Sequence, residues 1–403
     1  MSDAANIALS PNSQSLPPRS QRLLLTLILT LLAFGAVTLS RYGWQQSVLF
    51  LMGGLFGVTL YHASFGFSSA YRKLFVYRDV RGVLAQVLML AIATVLFAPI
   101  LTSGSAFGRE VTGAVAPVGV EGAIGAFLFG VGMQLGSGCA CGTLYTIGGG
   151  SSLMLLTLLT FGIGSFWASL TDRLWAGLPA TEPVSLIGVW GWYGVALQLL
   201  ILLAIAIMLW QWRKGDASTP TTLPKFQSLI PNPRSLLYGS WSLALGAVVL
   251  AVLNWLTLLI AGRPWGVTWG FTLWTAKIAT LLGWNPATSS FWSSDIGAEA
   301  LSASVFEDIT SVMNFGIVLG AALAAALAGR LALKKPASWR AIAAALIGGL
   351  LMGYGARLAF GCNVGAYFSG IASTSLHGWL WIAFALLGTG LGIRWRSLFQ
   401  LSN

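Results

Sequence analysis

The sequence predicts an all-α polytopic membrane protein with two pseudo-symmetric, inverted halves, in which Gly-broken and re-entrant helices surround a central passage. Three observations lead to this fold class. The 403 residues are 56% hydrophobic and only 8% charged, whereas a soluble domain carries about 25% charged residues. Apolar runs long enough to cross a bilayer recur along the chain. A Gly-rich motif that contains Cys occurs twice.

The apolar runs predict roughly nine to eleven membrane helices, some of them half-length, because a spanning helix needs about 20 apolar residues. The stretches 64–70 and 364–375 interrupt this pattern, and we interpret them as re-entrant or broken segments. The candidate spans are residues 23–39, 44–61, 83–101, 124–147, 153–170, 189–212, 236–260, 267–282, 309–328, 341–360 and 376–393.

Lys and Arg are distributed unevenly between the loops. Most of the 22 basic residues fall on one side, with both termini, while most acidic residues fall on the other. Cytoplasmic loops carry the excess of Lys and Arg, so this pattern predicts a multi-pass protein of the bacterial inner membrane with both termini cytoplasmic. The predicted parts are a disordered cytoplasmic N-terminus (1–21), a first transmembrane half (22–212), a cytoplasmic linker (213–235), a second transmembrane half (236–397) and a cytoplasmic tail (398–403).

Composition also excludes several classes of function. The net charge of +11 does not indicate nucleic-acid binding, because the basic residues lie in short clusters between apolar runs rather than in one patch. Three Cys are too few for a disulfide framework. The sequence contains no nucleotide-binding P-loop, so this chain is not expected to hydrolyse ATP. We expect no cofactor.

The clearest motif is an internal repeat. Residues 130–142 read GVGMQLGSGCACG and residues 353–365 read GYGARLAFGCNVG, so six of thirteen positions are identical at a constant separation of 223 residues. A weaker pair precedes it, FGFSSAYRK at 65–73 and WGFTLWTAK at 269–277. The first Cys segment follows a loop on the acidic side and the second follows a loop on the basic side. The two copies are therefore predicted to be inverted, as in transporters that bind substrate between two halves.

The Gly-Cys segments have the composition of an anion site. Gly on both sides of a Cys removes bulk and allows the helix to break, so that backbone N–H groups can face a ligand. A thiol adds a weak donor and a polarizable sulfur, which suits a large, soft, sulfur-bearing anion. The candidate substrate-binding residues are Cys139, Cys362, Gly138, Gly361, Cys141, Gly142, Gly365, Gly66, Gly270, Lys277 and Arg357.

Each of these features also has a structural explanation. A Cys in an apolar helix is usually only a small buried residue, and Gly runs usually allow close helix packing. Lys277 could extend to the membrane surface and Arg357 could cap a broken helix. His62 and His377 are isolated and are interpreted as structural. The sequence leaves open a different function, a membrane thiol oxidoreductase or a carrier of persulfide or selenium compounds, and more weakly a transporter of soft metals.

The paired G-x-G-x-x-L-x-x-G-C-x-x-G segments, the G-F-[ST] segments and the length resemble the YeeE/YedE family of membrane proteins over most of residues 44–395. The resemblance implies uptake of thiosulfate along a narrow passage between two halves, with Cys139 and Cys362 as thiols that relay the anion by S–H hydrogen bonds. It also admits a cytoplasmic sulfur-transfer protein as a partner, beside membrane lipid. The family has a further Cys near the first motif. Residues 61–70 contain none, so His62, Ser64 or Ser68 would replace it, the relay would be shorter, or Cys141 would compensate.

Overall fold

The computed structural model describes residues 18–214, 233–239, 241–336 and 338–402. Residues 1–17 of the predicted disordered N-terminus (1–21) and most of the predicted linker at 213–235 lie outside these residues, whereas residues 18–21 belong to the first helix. The helices are α1 (Pro18–Leu39), α2 (Trp44–His62), α3 (Phe67–Tyr77), α4 (Arg81–Ser103), α5 (Val120–Leu135), α6 (Ala140–Gly148), α7 (Ser152–Leu170), α8 (Leu186–Trp190), α9 (Trp192–Lys214), α10 (Pro233–Tyr238), α11 (Leu243–Ala261), α12 (Thr268–Leu281), α13 (Asp295–Ser302), α14 (Ile309–Leu327), α15 (Trp339–Leu358), α16 (Gly370–Ala372) and α17 (Leu376–Arg396).

Shorter elements connect these helices, among them the 3₁₀ turns Ser40–Tyr42, Asp172–Leu174, Pro286–Thr288 and Ser397–Phe399. A π-helical turn, Asn363–Ser369, precedes α16. Two short strands, β1 (Ser105–Ala106) and β2 (Arg109–Glu110), form an antiparallel hairpin in the loop after α4.

Ten helical segments of the described chain are long and apolar enough to cross a membrane, which falls within the nine to eleven predicted. The fold class of an all-α polytopic membrane protein is thereby confirmed. One predicted span differs. The apolar run 267–282 forms the 14-residue helix α12, which at 1.5 Å per residue is about 21 Å long. This is shorter than the hydrocarbon core of about 30 Å, so α12 does not cross it alone.

The termini of several helices are fixed by polar caps. The side chains of Ser242, Asp308 and Ser338 accept hydrogen bonds from the backbone N–H groups three residues further on, at the starts of α11, α14 and α15. Such caps satisfy N–H groups that a helix leaves unpaired, which is required where the helix end lies close to lipid.

The two Cys segments break their helices in the same way. Helix α5 ends at Leu135, and the chain takes a left-handed conformation at Ser137, with φ of 58°. Helix α15 ends at Leu358, and Phe360, the matching position of the repeat, has φ of 57°. Each break is followed by an extended Cys that begins the next helical segment. The repeated sequence therefore encodes a repeated backbone conformation.

After the Cys, the two segments differ by one residue. Residues 140–148 form the α-helix α6, whereas Asn363–Ser369 form a π-helical turn. A π-helical turn accommodates one extra residue within a helix. Accordingly the separation between matching positions rises from 223 before the turn to 224 after it, where Ser151 and Ser375 precede α7 and α17.

Glycines allow the long helices to approach at backbone distance. Helix α2 packs along α14, α5 along α17, and α7 along α15. A Cβ added to Gly320 would overlap the carbonyl oxygen of Gly54, and a Cβ added to Gly57 would overlap that of Ile317. Close contact through small residues is a common way for membrane helices to associate.

The contact between α5 and α15 has a distinct arrangement. A Cβ added to Gly125 would meet the carbonyl of Gly355, and a Cβ added to Gly132 would meet the carbonyl of Gly348. The contact partner moves backward along α15 as the chain moves forward along α5, so the two helices run in opposite directions where they cross.

We predict that Gly320→Ala destabilises the protein by roughly 1 to 3 kcal/mol, because the methyl group must displace backbone atoms of α2. The measurement is the melting temperature of the detergent-solubilised protein. Gly177→Ala is the matched control, since an added Cβ there meets open space. Equal melting temperatures for both variants would show that α2 and α14 are not packed this closely.

Candidate functional site

All three thiols are buried together in the central core. Cys139, Cys141 and Cys362 are each at most 1% exposed, are free thiols, and belong to one hydrophobic cluster. Cys139 and Cys362 lie within electrostatic range of each other. The structure thus brings together the two Cys that the repeat singled out, from segments separated by more than half of the chain.

Cys139 is held by the start of α6. Its backbone is extended, and its carbonyl oxygen accepts hydrogen bonds from the backbone N–H of Thr143 at 2.8 Å and from the Thr143 hydroxyl at 3.0 Å. Its Sγ lies 3.4 Å from Sγ of Cys141, and either sulfur could donate. The Cys139 thiol therefore faces the first turn of α6, beside Cys141 and Gly142.

Cys362 occupies the corresponding position before the π-helical turn. Its Sγ accepts a hydrogen bond from the backbone N–H of Val364 at 3.4 Å. The preceding residue, Gly361, has φ of 145°, a conformation that side chains rarely adopt, and its carbonyl accepts from Nε1 of Trp381 at 3.2 Å. Because the Cys362 sulfur already accepts an N–H, its own hydrogen can point elsewhere.

Buried polar atoms without a partner lie beside the thiols. The hydroxyl of Tyr71 and both amide atoms of the Asn363 side chain have no hydrogen-bond partner in the part of the chain that the structure describes. The Tyr71 hydroxyl faces the side chains of Asn363 and Tyr367 without the geometry of a hydrogen bond to either, and Cys139 is an electrostatic neighbour. Leaving a buried polar group unpaired costs about 1 to 3 kcal/mol. Their clustering here therefore marks a place where a polar ligand can be bound.

The flanking glycines leave space around the sulfurs. A Cβ on Gly142 would lie 3.4 Å from Sγ of Cys139, and a Cβ on Gly365 would meet nothing within 4 Å. A Cβ on Gly138 would meet its first neighbour at 3.6 Å. In contrast, a Cβ on Gly361 would lie 2.8 Å from the backbone N of Ala366, and one on Gly270 would lie 2.9 Å from Nδ2 of Asn314. Gly361 is thus required for packing, because the atom in the way belongs to the backbone, whereas at Gly270 the end of the Asn314 side chain would have to shift.

One cleft, of about 250 Å³, opens where α3 and α4 meet, and we call this end of the molecule the Arg81 face. Gly66 and Lys73 line it, as does Gln86, whose buried amide has no hydrogen-bond partner among the described residues. Arg81 and Asp79 also line it and form an ion pair at 2.8 Å. The Arg81 guanidinium beside Asp79 lowers the pKa of that carboxyl, so the pair is neutral overall and Lys73 provides the positive charge.

A second cleft, of about 150 Å³, opens at the start of α12 and α14. Gly361 and Gly365 line it, so it ends next to Cys362. Arg263 and Thr310 also line it, and Arg263 lies 3.9 Å from a carboxylate oxygen of Asp308.

The two clefts open at opposite ends of the molecule. Helix α4 begins at Arg81, beside the first cleft, and ends at Ser103 after 23 residues, which span about 35 Å. The loop that follows α4 donates a hydrogen bond from Thr112 N to the carbonyl of Gly262, next to Arg263 of the second cleft. We call this end the Ser103 face. The thiol cluster therefore lies between two openings.

Gly66 lies where the first cleft approaches the thiols. A Cβ added there would lie 3.5 Å from the hydroxyl of Tyr145, and Tyr145 has Cys139 and Cys141 as electrostatic neighbours.

The two predicted membrane cations, Lys277 and Arg357, make contacts that join helices to a loop. Nζ of Lys277 donates to the carbonyls of Leu301 and Ala303 at 2.7 Å each, so it fastens α12 to the end of α13. The guanidinium of Arg357 stacks on Phe291 at 4.0 Å. Both contacts are made to the segment 285–308, which follows α12.

The residues considered as substitutes for the missing family Cys occupy three different environments. Ser64 lines the first cleft. The hydroxyl of Ser68 donates to the carbonyl of Met133 at 2.8 Å and joins α3 to α5. His62 is buried next to Trp241, with ring centroids 5.7 Å apart.

Sequence reasoning missed the polar groups around the thiols. Asn363 directly follows Cys362, where the first repeat has Ala140, so this difference between the copies was the available signal. Tyr71 lies inside the FGFSSAYRK segment, but nothing in its spacing indicates that the side chain reaches Cys139. That proximity depends on how α3 packs after the break at Gly66.

Comparison with known proteins agrees with the motif. Residues 62–391 match the sulphur transport family. The chain is 29% identical over 361 residues to the thiosulfate transporter TsuA of Spirochaeta thermophila, covering 84% of this chain and 95% of that protein. It is 24% identical over 351 residues to TsuA of Escherichia coli, covering 84% and 91%, and 34% identical over 139 residues to the probable transporter YedE of Escherichia coli, covering 34% of each chain.

The family match spans most of the chain and includes both Gly-Cys segments and both clefts. The chain therefore belongs to the sulphur transport family, the YeeE/YedE family that the paired motifs resemble.

Proposed function

We propose that this protein takes up thiosulfate or a closely related sulfur-containing anion through a passage that runs past the thiols of Cys362 and Cys139. The observation that carries the proposal is the buried cluster of both thiols with the unpaired polar atoms of Tyr71 and Asn363, placed between two clefts at opposite ends. Relatives named as thiosulfate transporters support the choice of substrate.

The chemistry of the cluster fits weak, repeated binding. A neutral thiol donates one weak S–H hydrogen bond, and the Cys362 sulfur, which accepts from Val364 N, leaves its own hydrogen available. Cys139 and Cys141 can donate one toward the other or toward an anion. Binding that relies on weak donors holds the ion and also releases it, which conduction requires. A thiolate would repel the anion, so the relay needs neutral thiols.

The arrangement of the halves supports a passage at their interface. In the repeat alignment, Gly125 corresponds to Gly348 and Gly132 to Gly355. Gly125 contacts Gly355 and Gly132 contacts Gly348. Replacing every residue by its repeat counterpart turns the first contact into the second, as expected when a two-fold rotation relates the two halves. Since α5 and α15 run in opposite directions, that axis lies in the membrane plane, which is the inverted-repeat arrangement of many transporters.

We infer from the charge bias of the loops that the Arg81 face is cytoplasmic, that both termini are cytoplasmic, and that the protein resides in the bacterial inner membrane. Substrate then enters from the Ser103 face, past Arg263, and leaves past Lys73, where a cytoplasmic sulfur-transfer protein could receive it. An inside-negative potential of 100 mV opposes inward movement of a divalent anion by about 4 to 5 kcal/mol. Uptake therefore needs a steep gradient, metabolic trapping or coupling to another ion.

We predict that Cys139→Ala and Cys362→Ala each lower uptake of labelled thiosulfate at least about tenfold, because each removes a donor from a single-file path. The assay uses cells without other thiosulfate uptake systems, at matched membrane levels. Thr257→Ala is the control, since this buried hydroxyl bonds only within its own helix. Uptake at the parental rate by either Cys variant would remove that thiol from the pathway.

A second prediction separates binding from stability. Tyr71→Phe should lower thiosulfate uptake severalfold and leave the melting temperature unchanged or higher, because its hydroxyl makes no hydrogen bond of good geometry to a described residue. Tyr354→Phe should lower the melting temperature and leave uptake unchanged, since the Tyr354 hydroxyl is hydrogen-bonded to Thr171 at 2.9 Å and to Trp175 at 3.1 Å. A lower melting temperature with normal uptake for Tyr71→Phe would make Tyr71 a structural residue.

The separation of 3.4 Å between Sγ of Cys139 and Sγ of Cys141 also favours a second function, thiol redox chemistry or carriage of persulfide or selenium compounds. Cys141 has no counterpart in the second repeat, where Val364 stands. We predict that Cys141→Ser retains most thiosulfate uptake. Complete loss of uptake in Cys141→Ser, together with a Cys139–Cys141 disulfide trapped by alkylation during turnover, would favour the redox function instead.

A further inference from the structure

Helix α3 buries a guanidinium that no carboxylate neutralises. Arg72 is 4% exposed. In the part of the chain that the structure describes, its guanidinium makes one hydrogen bond, from Nη1 to Oε1 of Gln134 at 3.4 Å, and no ion pair. A charge inside a membrane protein is costly and is normally paired or placed on a substrate path. Arg72 therefore requires an explanation beyond packing.

The partner of Arg72 is itself firmly positioned. Nε2 of Gln134 donates to the carbonyl of Ser68 at 3.1 Å, and the hydroxyl of Ser68 donates to the carbonyl of Met133 at 2.8 Å. The carbonyl of Gln134 accepts from Nη1 of Arg396 at 2.5 Å. The site is thus held by the crossing of α3 and α5 with the end of α17, and Gln134 is not free to move toward Arg72.

Arg396 adds a second positive charge to this region. It is 2% exposed, and besides Gln134 it donates to the hydroxyl of Ser137 at 3.4 Å and to the carbonyl of Ser402. Those contacts give Arg396 a structural role. Arg396 lies within electrostatic range of Arg72. The two like charges raise the positive potential around Ser137, which is two residues before Cys139 in the sequence.

The other half has one Arg at the two corresponding sequence positions. In the repeat alignments, Gln134 corresponds to Arg357 and Arg72 to Ala276. Each pair of positions therefore contains a single Arg, carried by α3 in one half and by α15 in the other. Arg357 has the acidic side chains of Glu121 and Asp172 as electrostatic neighbours, whereas among the described residues Arg72 has Tyr77 as a neighbour and no carboxylate.

We propose that Arg72, supported by Gln134, forms an anion-binding site on the Arg81 side of Cys139 that takes the oxygen end of a divalent sulfur oxyanion. The inference rests on the proposed function and extends it. Thiosulfate has one soft sulfur end and one end with three oxygens, and a planar guanidinium matches such oxygens with two parallel N–H groups. The thiol of Cys139 and the guanidinium of Arg72 would hold opposite ends of the same ion before release.

The test exchanges the two side chains. Arg72→Gln is compared with the double variant Arg72→Gln/Gln134→Arg, which moves the guanidinium to the helix that carries it in the other half. Arg394→Gln is the matched control, because it is the same Arg-to-Gln change at an exposed position of α17. The readouts are labelled thiosulfate uptake in cells and the rise in melting temperature of the purified, detergent-solubilised protein on adding thiosulfate, with sodium chloride at equal ionic strength as the reference.

We expect Arg72→Gln to raise the thiosulfate concentration needed for half-maximal uptake at least about tenfold and to lose the thermal shift, because a charge-assisted contact is removed. The double variant should recover at least part of both, and Arg394→Gln should retain both. If Arg72→Gln fails to reach the membrane, Arg72→Lys, which keeps the charge, should transport with weakened affinity.

Two results would overturn the proposal. One is parental uptake and thermal shift in Arg72→Gln. The other is a double variant that is stably folded and as inactive as Arg72→Gln. Failure of the proposed function gives a different pattern, since the intact protein itself would then show neither uptake of thiosulfate nor a thermal shift.

Discussion

The structure depends on one requirement of the bilayer, that backbone N–H and C=O groups cannot be left facing lipid. This chain breaks its helices beside Cys139 and Cys362, and both breaks expose backbone groups at membrane depth. The surrounding helices must therefore enclose them completely. The Gly-to-backbone contacts of α2 with α14, and of α5 with α15, provide this enclosure by removing side-chain bulk where the helices cross. Close packing around the breaks is what makes a thiol site inside the membrane possible.

The proposed passage would contact the anion with two kinds of group, thiols in the middle and cations at the openings. Polarizable sulfur atoms occupy the middle, where Cys139 and Cys362 meet the unpaired atoms of Tyr71 and Asn363. Positive charge lines both openings, on Arg263 at one face and Lys73 at the other. In the proposed passage these cations attract an anion, while weak donors in the middle keep it from being bound too tightly. The proposed site at Arg72 would add one strong contact just before release.

Much of this arrangement could be predicted from the sequence, and the remainder could not for identifiable reasons. Apolar runs predicted the number of spans within the stated range, because their length is fixed by bilayer thickness. The paired motif led to the right family and to two Cys that the fold brings together. The spacing of the motif could not reveal the π-helical turn after Cys362. The turn adds one residue to the second repeat, and this insertion leaves the amino-acid composition of the segment unchanged. Nor could the spacing place Tyr71 beside Cys139, or indicate that Lys277 bonds the carbonyls of Leu301 and Ala303, because these contacts depend on tertiary packing.

The most direct test of the central claim is whether thiosulfate protects both relay thiols in the membrane. The intact protein in vesicles would be treated with a small methanethiosulfonate reagent, and modification of each Cys would be followed by mass spectrometry. We expect thiosulfate to slow modification of Cys139 and Cys362 over the same concentration range, while sodium chloride at equal ionic strength has no effect. Modification of both thiols at an unchanged rate, under conditions in which the protein takes up thiosulfate, would contradict a passage that runs past them.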